Sequence, residues 1–367
     1  MPKKVLIVVG TRPNFIKITQ FERVFRQHGD EFEYRLLHTG QHYDRAMSKV
    51  FFEQLKLKEP DYYLKIEGGA PALQMGKIIS HLSEILSEWQ PDLVMVVGDV
   101  NSTLAAAIAA NKHELPLAHL ESGLRSRDRS MPEEINRLLT DEITDYFFVT
   151  EQSGLDNLKA EGKPEEKIFF VGNTMIDTLV AFEEAIEASP IMEEIGLSQE
   201  EPFVLMTMHR PVNVDTAEAL EKLISLLCFI TQTYRVVLPL HPRTRNRLQQ
   251  FGLWEQFERI ERMTLTGPMD YLAFQKLISA SSFVLTDSGG IQEETTFRQV
   301  PCITLRPNTE RPSTIELGTN ELATFDLDEL RAKIERISNG TYKQGQIPPH
   351  WDGRATGRIV EVLRQRL

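Results

Sequence analysis

Short runs of aliphatic and β-branched residues punctuate the chain at Val5–Val9, Asp92–Gly98, Tyr146–Val149, Phe203–Thr207, Val236–Leu240 and Phe283–Thr286. Each is apolar throughout instead of alternating, the pattern of a parallel strand covered on both faces. Between them apolar positions recur at helical spacing, as in Met75–Trp89 and Thr216–Thr231. Strands that alternate with helices predict βαβ units and parallel sheets. The alternation restarts near Phe203, after a charged, helix-like stretch from Glu183 to Glu201, so the pattern predicts two doubly wound domains of similar size joined near Val171 to Thr178. The last segment, Arg354 to Leu367, reads as an amphipathic helix able to pack on either domain.

Length agrees with this division, because 367 residues exceed what one hydrophobic core usually serves. The formal charge of −12 disfavours nucleic acid and anionic membrane surfaces as partners, so a polyanionic ligand must meet a focused positive site. Cys228 and Cys302 are the only cysteines, each in an apolar stretch, and read as buried free thiols of a reducing compartment. Val5–Val9 is too short for a signal-peptide core and no window is long enough to span a bilayer, which gives a cytoplasmic expectation.

Chemistry enters at the strand ends. Gly10-Thr11-Arg12-Pro13, Gly98-Asp99-Val100-Asn101, His119-Leu120-Glu121-Ser122, His209-Arg210-Pro211, His241-Pro242-Arg243 and Asp287-Ser288-Gly289-Gly290 each follow a predicted strand. Any one of them is an ordinary turn or cap. Together they lie at the carboxyl edge of the sheets, where doubly wound proteins bind ligands, and in a two-domain version the expected site is the cleft between domains.

Ser288-Gly289-Gly290 before a helix near Ile291 exposes backbone N–H groups without Cβ obstruction, which suits a phosphate. Neither a P-loop lysine nor a GxGxxG fingerprint is present, so no nicotinamide or other cofactor is expected. Glu294 can accept from a ribose diol or simply favour a helix dipole, Arg311 can meet a diphosphate, and Phe274 can stack on a base or fill a core. Asp99, Glu121 and the pair Glu133-Glu134 are carboxylates for acid and base work, although a glutamate in a first helical turn is ordinarily a cap partner. His38, His42 and Asp44 make a poor metal set, and no metal site is expected.

The motifs GTRPNFIK, HTGQHYD, GDVNSTLAAA, HLESGLRSRDRSMPEEINR, VGNTMIDTL, HRPVNVD, LPLHPRT, LTGPMDYLAF, LTDSGGIQEE and NTERP resemble, in order and spacing, the non-hydrolysing UDP-N-acetylglucosamine 2-epimerases. The resemblance implies a GT-B-like α/β fold of two Rossmann-like domains, divided as 1–172, 173–350 for UDP binding, and a helix 351–367 returning to the first domain. It implies a UDP-sugar substrate, a homodimer, a role in cell-surface polysaccharide synthesis, and 2-epimerisation through loss and readdition of UDP. By the same resemblance Asp99, Glu121 and Glu133 are the acid/base carboxylates and His209 the histidine near the diphosphate. Arg12 and Lys17 are the cations of the first loop, Ser288, Gly289 and Gly290 hold phosphate, Glu294 the ribose, Arg311 the diphosphate or sugar, Phe274 the uracil, and His241 is a further site position.

Some positions depart from the family pattern. His209-Arg210-Pro211-Val212-Asn213 stands where many members have HRREN, Asn14 where a glutamate is common, and Ser122 where alanine is common. Gln41 is kept, but Asp44 occupies the second glutamine position of members activated by their own substrate, which predicts weak activation or none. A hydrolysing relative, a retaining glycosyltransferase of the same fold, a substrate with extra groups on the sugar, and a sensor without turnover remain alternatives at the level of sequence.

Overall fold

The computed structural model describes residues 1–40, 52–66, 68–198 and 200–367, so Gln41, His42 and Asp44 lie outside the described residues. The chain divides into two compact units, Met1–Phe182 with Pro349–Leu367, and Glu183–Pro348.

The first unit holds a seven-stranded sheet in the order β3-β2-β1-β4-β5-β6-β7. Its strands are β1 (Lys3–Val9), β2 (Phe32–His38), β3 (Tyr62–Tyr63), β4 (Leu93–Val97), β5 (Leu117–Leu120), β6 (Tyr146–Val149) and β7 (Ile168–Phe170). All pairings are parallel. Strand order reverses between β1 and β4, the position at which the loops beyond two neighbouring strands leave towards opposite faces. Helix Asn101–Lys112 buries Ala105, Ala106, Ala107, Ala109 and Ala110, small side chains that allow its backbone close to the sheet.

The second unit holds a six-stranded parallel sheet in the order β10-β9-β8-β11-β12-β13, which reverses between β8 and β11. Its strands are β8 (Phe203–Thr207), β9 (Arg235–Pro239), β10 (Met263–Thr266), β11 (Phe283–Thr286), β12 (Cys302–Leu305) and β13 (Asn320–Ala323). Helix Ala217–Ile230 turns Leu220, Leu223, Ile224 and Leu227 into its core.

Several expectations need correction. The strands missing from the sequence reading are mostly peripheral and partly polar, such as β2 (FEYRLLH) and β10 (MTLT), because one face or one end meets solvent and the continuous apolar signature is lost. His119 lies inside β5, paired with Val96 and Phe147, and not beyond it. Cys302 is buried, and burial pushes its thiol up to about 11, but Cys228 is exposed on the outer side of helix Ala217–Ile230. An apolar stretch of helix does not place every member inside.

The boundary also differs. Helix Thr174–Ala181 belongs to the first unit, so the chain passes into the second at Glu183 and not after residue 172. The Thr178 hydroxyl meets Thr19 Oγ1 at 2.6 Å and donates to the Ile16 carbonyl. Asp177, 3 % exposed, accepts from the Ala355 and Thr356 amides at 3.0 and 2.6 Å and so caps helix Ala355–Arg366 from another element. Trp351 fixes the approach to that helix by donating from Nε1 to the Thr150 carbonyl at 2.9 Å. Among the described residues no helix is long and apolar enough to cross a membrane.

Removal of the Asp177 carboxylate leaves two buried amides at a helix start without acceptors. Asp177→Ala is expected to cost about 2 kcal/mol in urea unfolding of the full chain, and Asp177→Asn, which keeps one acceptor, clearly less.

Candidate active site

In the first unit the site builds up around the reversal between β1 and β4. The chain leaves β1 at Gly10, where a Cβ would stand 2.3 Å from Ser102 Oγ. Asn14, 2 % exposed, accepts through Oδ1 from the Gly10 and Thr11 amides, both at 3.2 Å, and donates from Nδ2 to the Val97 carbonyl at 3.3 Å. Here an amide does what the glutamate common in the family cannot, because a carboxylate has no donor for Val97. Arg12 and Lys17 flank this clamp.

Lys17 forms a buried ion pair with Glu121 Oε2. Glu121, the first residue after β5, sits at φ +72°, a left-handed conformation that costs a side-chain-bearing residue about 1–3 kcal/mol and persists only where its surroundings enforce it. Its second oxygen, Oε1, is buried with no hydrogen-bond partner among the described residues. Asp99 follows Gly98, itself at φ +66°, and its carboxylate pairs with Arg137 from helix Pro132–Glu142. Asn136 of the same helix donates to the Asp99 carbonyl at 2.9 Å.

Two adjacent glutamates have opposite fates. Glu134 is buried and saturated by the Ser126 and Arg127 amides and the Ser126 hydroxyl, each at 2.9 Å, and by Arg137 at 3.0 Å. Glu133, one residue earlier in the first turn, is exposed. Helical geometry thus turns one carboxylate inward as a strut and leaves the other open to solvent.

The second unit repeats the arrangement at its own reversal. Asp287, just past β11 and fully buried, accepts through Oδ2 from the His209 amide at 2.9 Å, the Arg210 amide at 2.7 Å and Asn213 Nδ2 at 3.2 Å. Its Oδ1 lies 2.9 Å from His209 Nδ1. Burial alone would lift the Asp287 carboxyl, yet His209 and the two amides hold it below the usual carboxylate range. The His241 ring lies 5.3 Å from that of His209, and its Nδ1 accepts from the Arg243 amide at 3.1 Å. Burial, then the charge of His209, lowers the pKa of His241.

Ser288 stands at the start of helix Gly289–Arg298, so the amides of Gly289 and Gly290 belong to the first turn, which has no intrahelical acceptors. A Cβ on Gly289 would lie 3.0 Å from Glu310 Oε1, 3.3 Å from Arg311 Nη1 and 3.4 Å from Arg306 Nη1. Glycine here lets two guanidinium groups approach a helix N-terminus, an arrangement suited to an anion. Arg306 is 2 % exposed; its Nη2 donates to Glu310 Oε2 at 2.9 Å, whereas Nε and Nη1 meet no hydrogen-bond partner among the described residues. Arg311 pairs with Glu310 and, at 2.6 Å, with Glu293. Burial lifts the Glu294 carboxyl to about 7, with help from the neighbouring charge of Glu293. Phe274 is half-buried and packs against the core that includes Ile291.

In the first unit Lys17 meets Glu121, and Asp99 gains Arg137; in the second His209 meets Asp287 and His241, and Gly289 meets Arg311. Sequence reasoning missed Asp287, Arg137 and Arg306. Arg137 had a signal, since it lies three and four residues from Glu134 and Glu133 on one helix. Asp287 and Arg306 show only their positions past a strand end, which single out no role. Among the described residues no three His, Cys, Asp or Glu side chains gather as metal ligands.

Two doubly wound parallel sheets, with carboxylates and cations at one reversal and a glycine-started helix flanked by guanidinium groups at the other, define a two-unit Rossmann-like protein equipped for an anionic ligand. A family model for UDP-N-acetylglucosamine 2-epimerase matches residues 25–364, and the chain belongs to that family. It is 38 % identical over 364 residues, 98 % of both chains, to the UDP-N-acetylglucosamine 2-epimerase of Methanocaldococcus jannaschii. The crystal structure of the M. jannaschii enzyme with UDP-GlcNAc and UDP superposes with a TM-score of 0.89 at 37 % identity, covering 99 % of each chain. The UDP-2,3-diacetamido-2,3-dideoxy-D-glucuronate 2-epimerase of Pseudomonas aeruginosa is 39 % identical over 363 residues, 98 % of this chain and 99 % of that one. A sucrose-phosphate synthase from Thermosynechococcus elongatus, 12 % identical with a TM-score of 0.64 over 99 % of this chain and 98 % of that one, shares the fold alone.

Lys17→Met strands the Glu121 carboxylate in a buried place and is expected to cost about 3–5 kcal/mol, most of it recovered when Glu121→Gln is added; a double-mutant cycle in urea measures the coupling. The Glu294 carboxyl, ordinarily near 4.5 and raised to about 7 in the fold, binds its proton more tightly folded than unfolded. Its contribution to stability is therefore present below about pH 4.5 and is lost as pH rises through about 7. Thermal melting from pH 4 to pH 9 should show that fall, flattened in Glu294→Gln.

Proposed function

We propose that the chain interconverts UDP-N-acetylglucosamine and UDP-N-acetylmannosamine by anti elimination and readdition. The observation that carries this reading is Glu121, held at φ +72° against Lys17 with one carboxylate oxygen unpaired, in a chain of the 2-epimerase family. A carboxylate kept strained, buried and half-satisfied is better explained by a reacting partner than by stability.

In the elimination, a carboxylate among Asp99, Glu121 and Glu133 takes the C2 proton. The C2–H electron pair becomes the C1=C2 bond, and the C1–O bond breaks with its pair leaving on the β-phosphate of UDP. The products are 2-acetamidoglucal and UDP. In the return step a protonated carboxyl group delivers its proton to the opposite face of C2 and the UDP oxygen re-forms the bond to C1. Electrons balance without an external oxidant or reductant. The C2 proton is not acidic, so positive charge developing at C1 needs the nearby carboxylates and the departing diphosphate needs cations. Ser288, Gly289, Gly290, Arg306 and Arg311 hold the diphosphate with His209 beside it, His241 lines the same place, Glu294 takes the ribose and Phe274 the uracil, while Arg12 and Lys17 complete the sugar end. The enzyme works in the cytoplasm as a homodimer and supplies an activated sugar for surface polysaccharide.

A second reading keeps the chemistry and changes the sugar. The Pseudomonas relative matches as well and as fully as the archaeal one, which favours a 2,3-diacetamido uronate as the alternative substrate.

Proton NMR of the enzyme with UDP-GlcNAc in D₂O should show UDP-ManNAc carrying deuterium at C2. Asp99→Asn should lower turnover by about 10²–10⁴-fold while UDP still binds by calorimetry. Free ManNAc with UDP would replace this reading by a hydrolysing one, exclusive turnover of the diacetamido uronate would favour the second, and no turnover of either sugar nucleotide would overturn both.

A further inference from the structure

His119 has no exposed surface, and neither of its ring nitrogens is idle. Nδ1 lies 2.6 Å from Asp141 Oδ1, and Nε2 lies 2.7 Å from the carbonyl oxygen of Gly98. Both neighbours are acceptors. A neutral imidazole has one N–H and one lone pair, so either neutral tautomer would press a lone pair against an oxygen at hydrogen-bond distance. Only the imidazolium satisfies both contacts.

The surroundings favour that charge. Asp141 also accepts from the Gly123 amide at 3.0 Å and from Arg125 Nη1 at 2.7 Å, and Arg125 continues to Glu161 at 2.7 Å. Burial works against the charged form of Asp141, but His119 first and Arg125 next hold its carboxyl below the ordinary range. The Asp141 oxygen facing His119 is therefore an anionic acceptor.

The location gives the contact a purpose. Gly98 immediately precedes Asp99, His119 lies in β5 two residues before Glu121, and Asp141 sits on the helix that supplies Arg137. One ring thus ties together the three elements that carry the carboxylates. The ion pairs form three groups: Lys17 with Glu121, Arg137 with Asp99 and Glu134, and His119 and Arg125 with Asp141 and Glu161. In the last, two carboxylates face Arg125, and a charged His119 balances the second.

We propose that His119 is a positioning residue, a buried imidazolium that donates from both ring nitrogens, to Asp141 Oδ1 and to the Gly98 carbonyl, and so fixes the Gly98–Asp99 loop and supplies positive charge beside Asp99 and Glu121. The positioning role rests on the reading of Asp99 and Glu121 as acid/base groups, whereas the protonation state stands apart from it.

Two-bond proton–nitrogen NMR of the full chain with ¹⁵N-labelled histidine tests the state directly, the His119 signals being identified by their loss in His119→Gln. At pH 7 both ring nitrogens should be protonated; an unprotonated nitrogen on His119 overturns the proposal. If His119→Gln does not fold, Asp141→Asn gives the assignment, because its amide withdraws the anionic acceptor and should convert one histidine alone to a neutral ring. In the epimerase assay His119→Gln should lower kcat at least about tenfold and move the acidic limb of the pH–rate profile to higher pH, since loss of a nearby positive charge favours protonated carboxyls. A lower melting temperature with the limb unmoved would reduce His119 to a packing role and overturn the positioning claim. A doubly protonated His119 in a protein that turns over no UDP-sugar would uphold the protonation state and sink the functional reading alone.

Discussion

Where a doubly wound sheet reverses its strand order, the loops beyond two adjacent strands depart in opposite directions and leave backbone amides facing a gap. The protein closes that gap in the same way twice. Asn14 joins the Gly10 and Thr11 amides to the Val97 carbonyl, and Asp287 joins the His209 and Arg210 amides to the loop beyond β11. Each clamp is a short polar side chain almost wholly out of water, where an unpaired amide is costly and a paired one is correspondingly rigid. Lys17, Asp99, His209 and Ser288 all follow strands whose ends these clamps hold.

The second theme is charge taken out of water in compensated pairs. Buried carboxylates are expensive alone and tolerable when each has a cation and further donors. Glu134 with four donors is satisfied completely and behaves as structure. Glu121 with one cation and one idle oxygen is not, and the left-handed backbone beneath it stores strain as well. In the second unit two guanidinium nitrogens of Arg306, beside a helix start, meet no hydrogen-bond partner among the described residues.

Departures from the family pattern find physical accounts in part. Asn14 supplies the donor that Val97 requires. Ser122, where alanine is common, is fully buried with a hydroxyl that meets no partner among the described residues, and nothing in the structure explains it.

Much was legible in one dimension. The continuous apolar runs of β1, β4, β8 and β11 fixed the central strands because a parallel strand covered on both faces has no polar alternation to hide it, and glycines and ionisable residues directly after those runs marked the carboxyl edge. The ordered motifs carried the family. Outer strands such as β10 escaped notice because solvent on one side permits polar residues, and Cys228 was misplaced because helical phase, and not local hydropathy, decides which side chain turns inward. Pairing was beyond the sequence altogether. That Asp287 meets His209 across 78 positions, that Arg137 reaches back 38 positions to Asp99, and that Glu134 is inward while Glu133 is outward are consequences of strand order and helix rotation. Chemistry at a strand end is written in residue type and position; which charge neutralises which is settled only when the sheet brings distant loops within hydrogen-bond reach, because those energies fall away within a few ångströms.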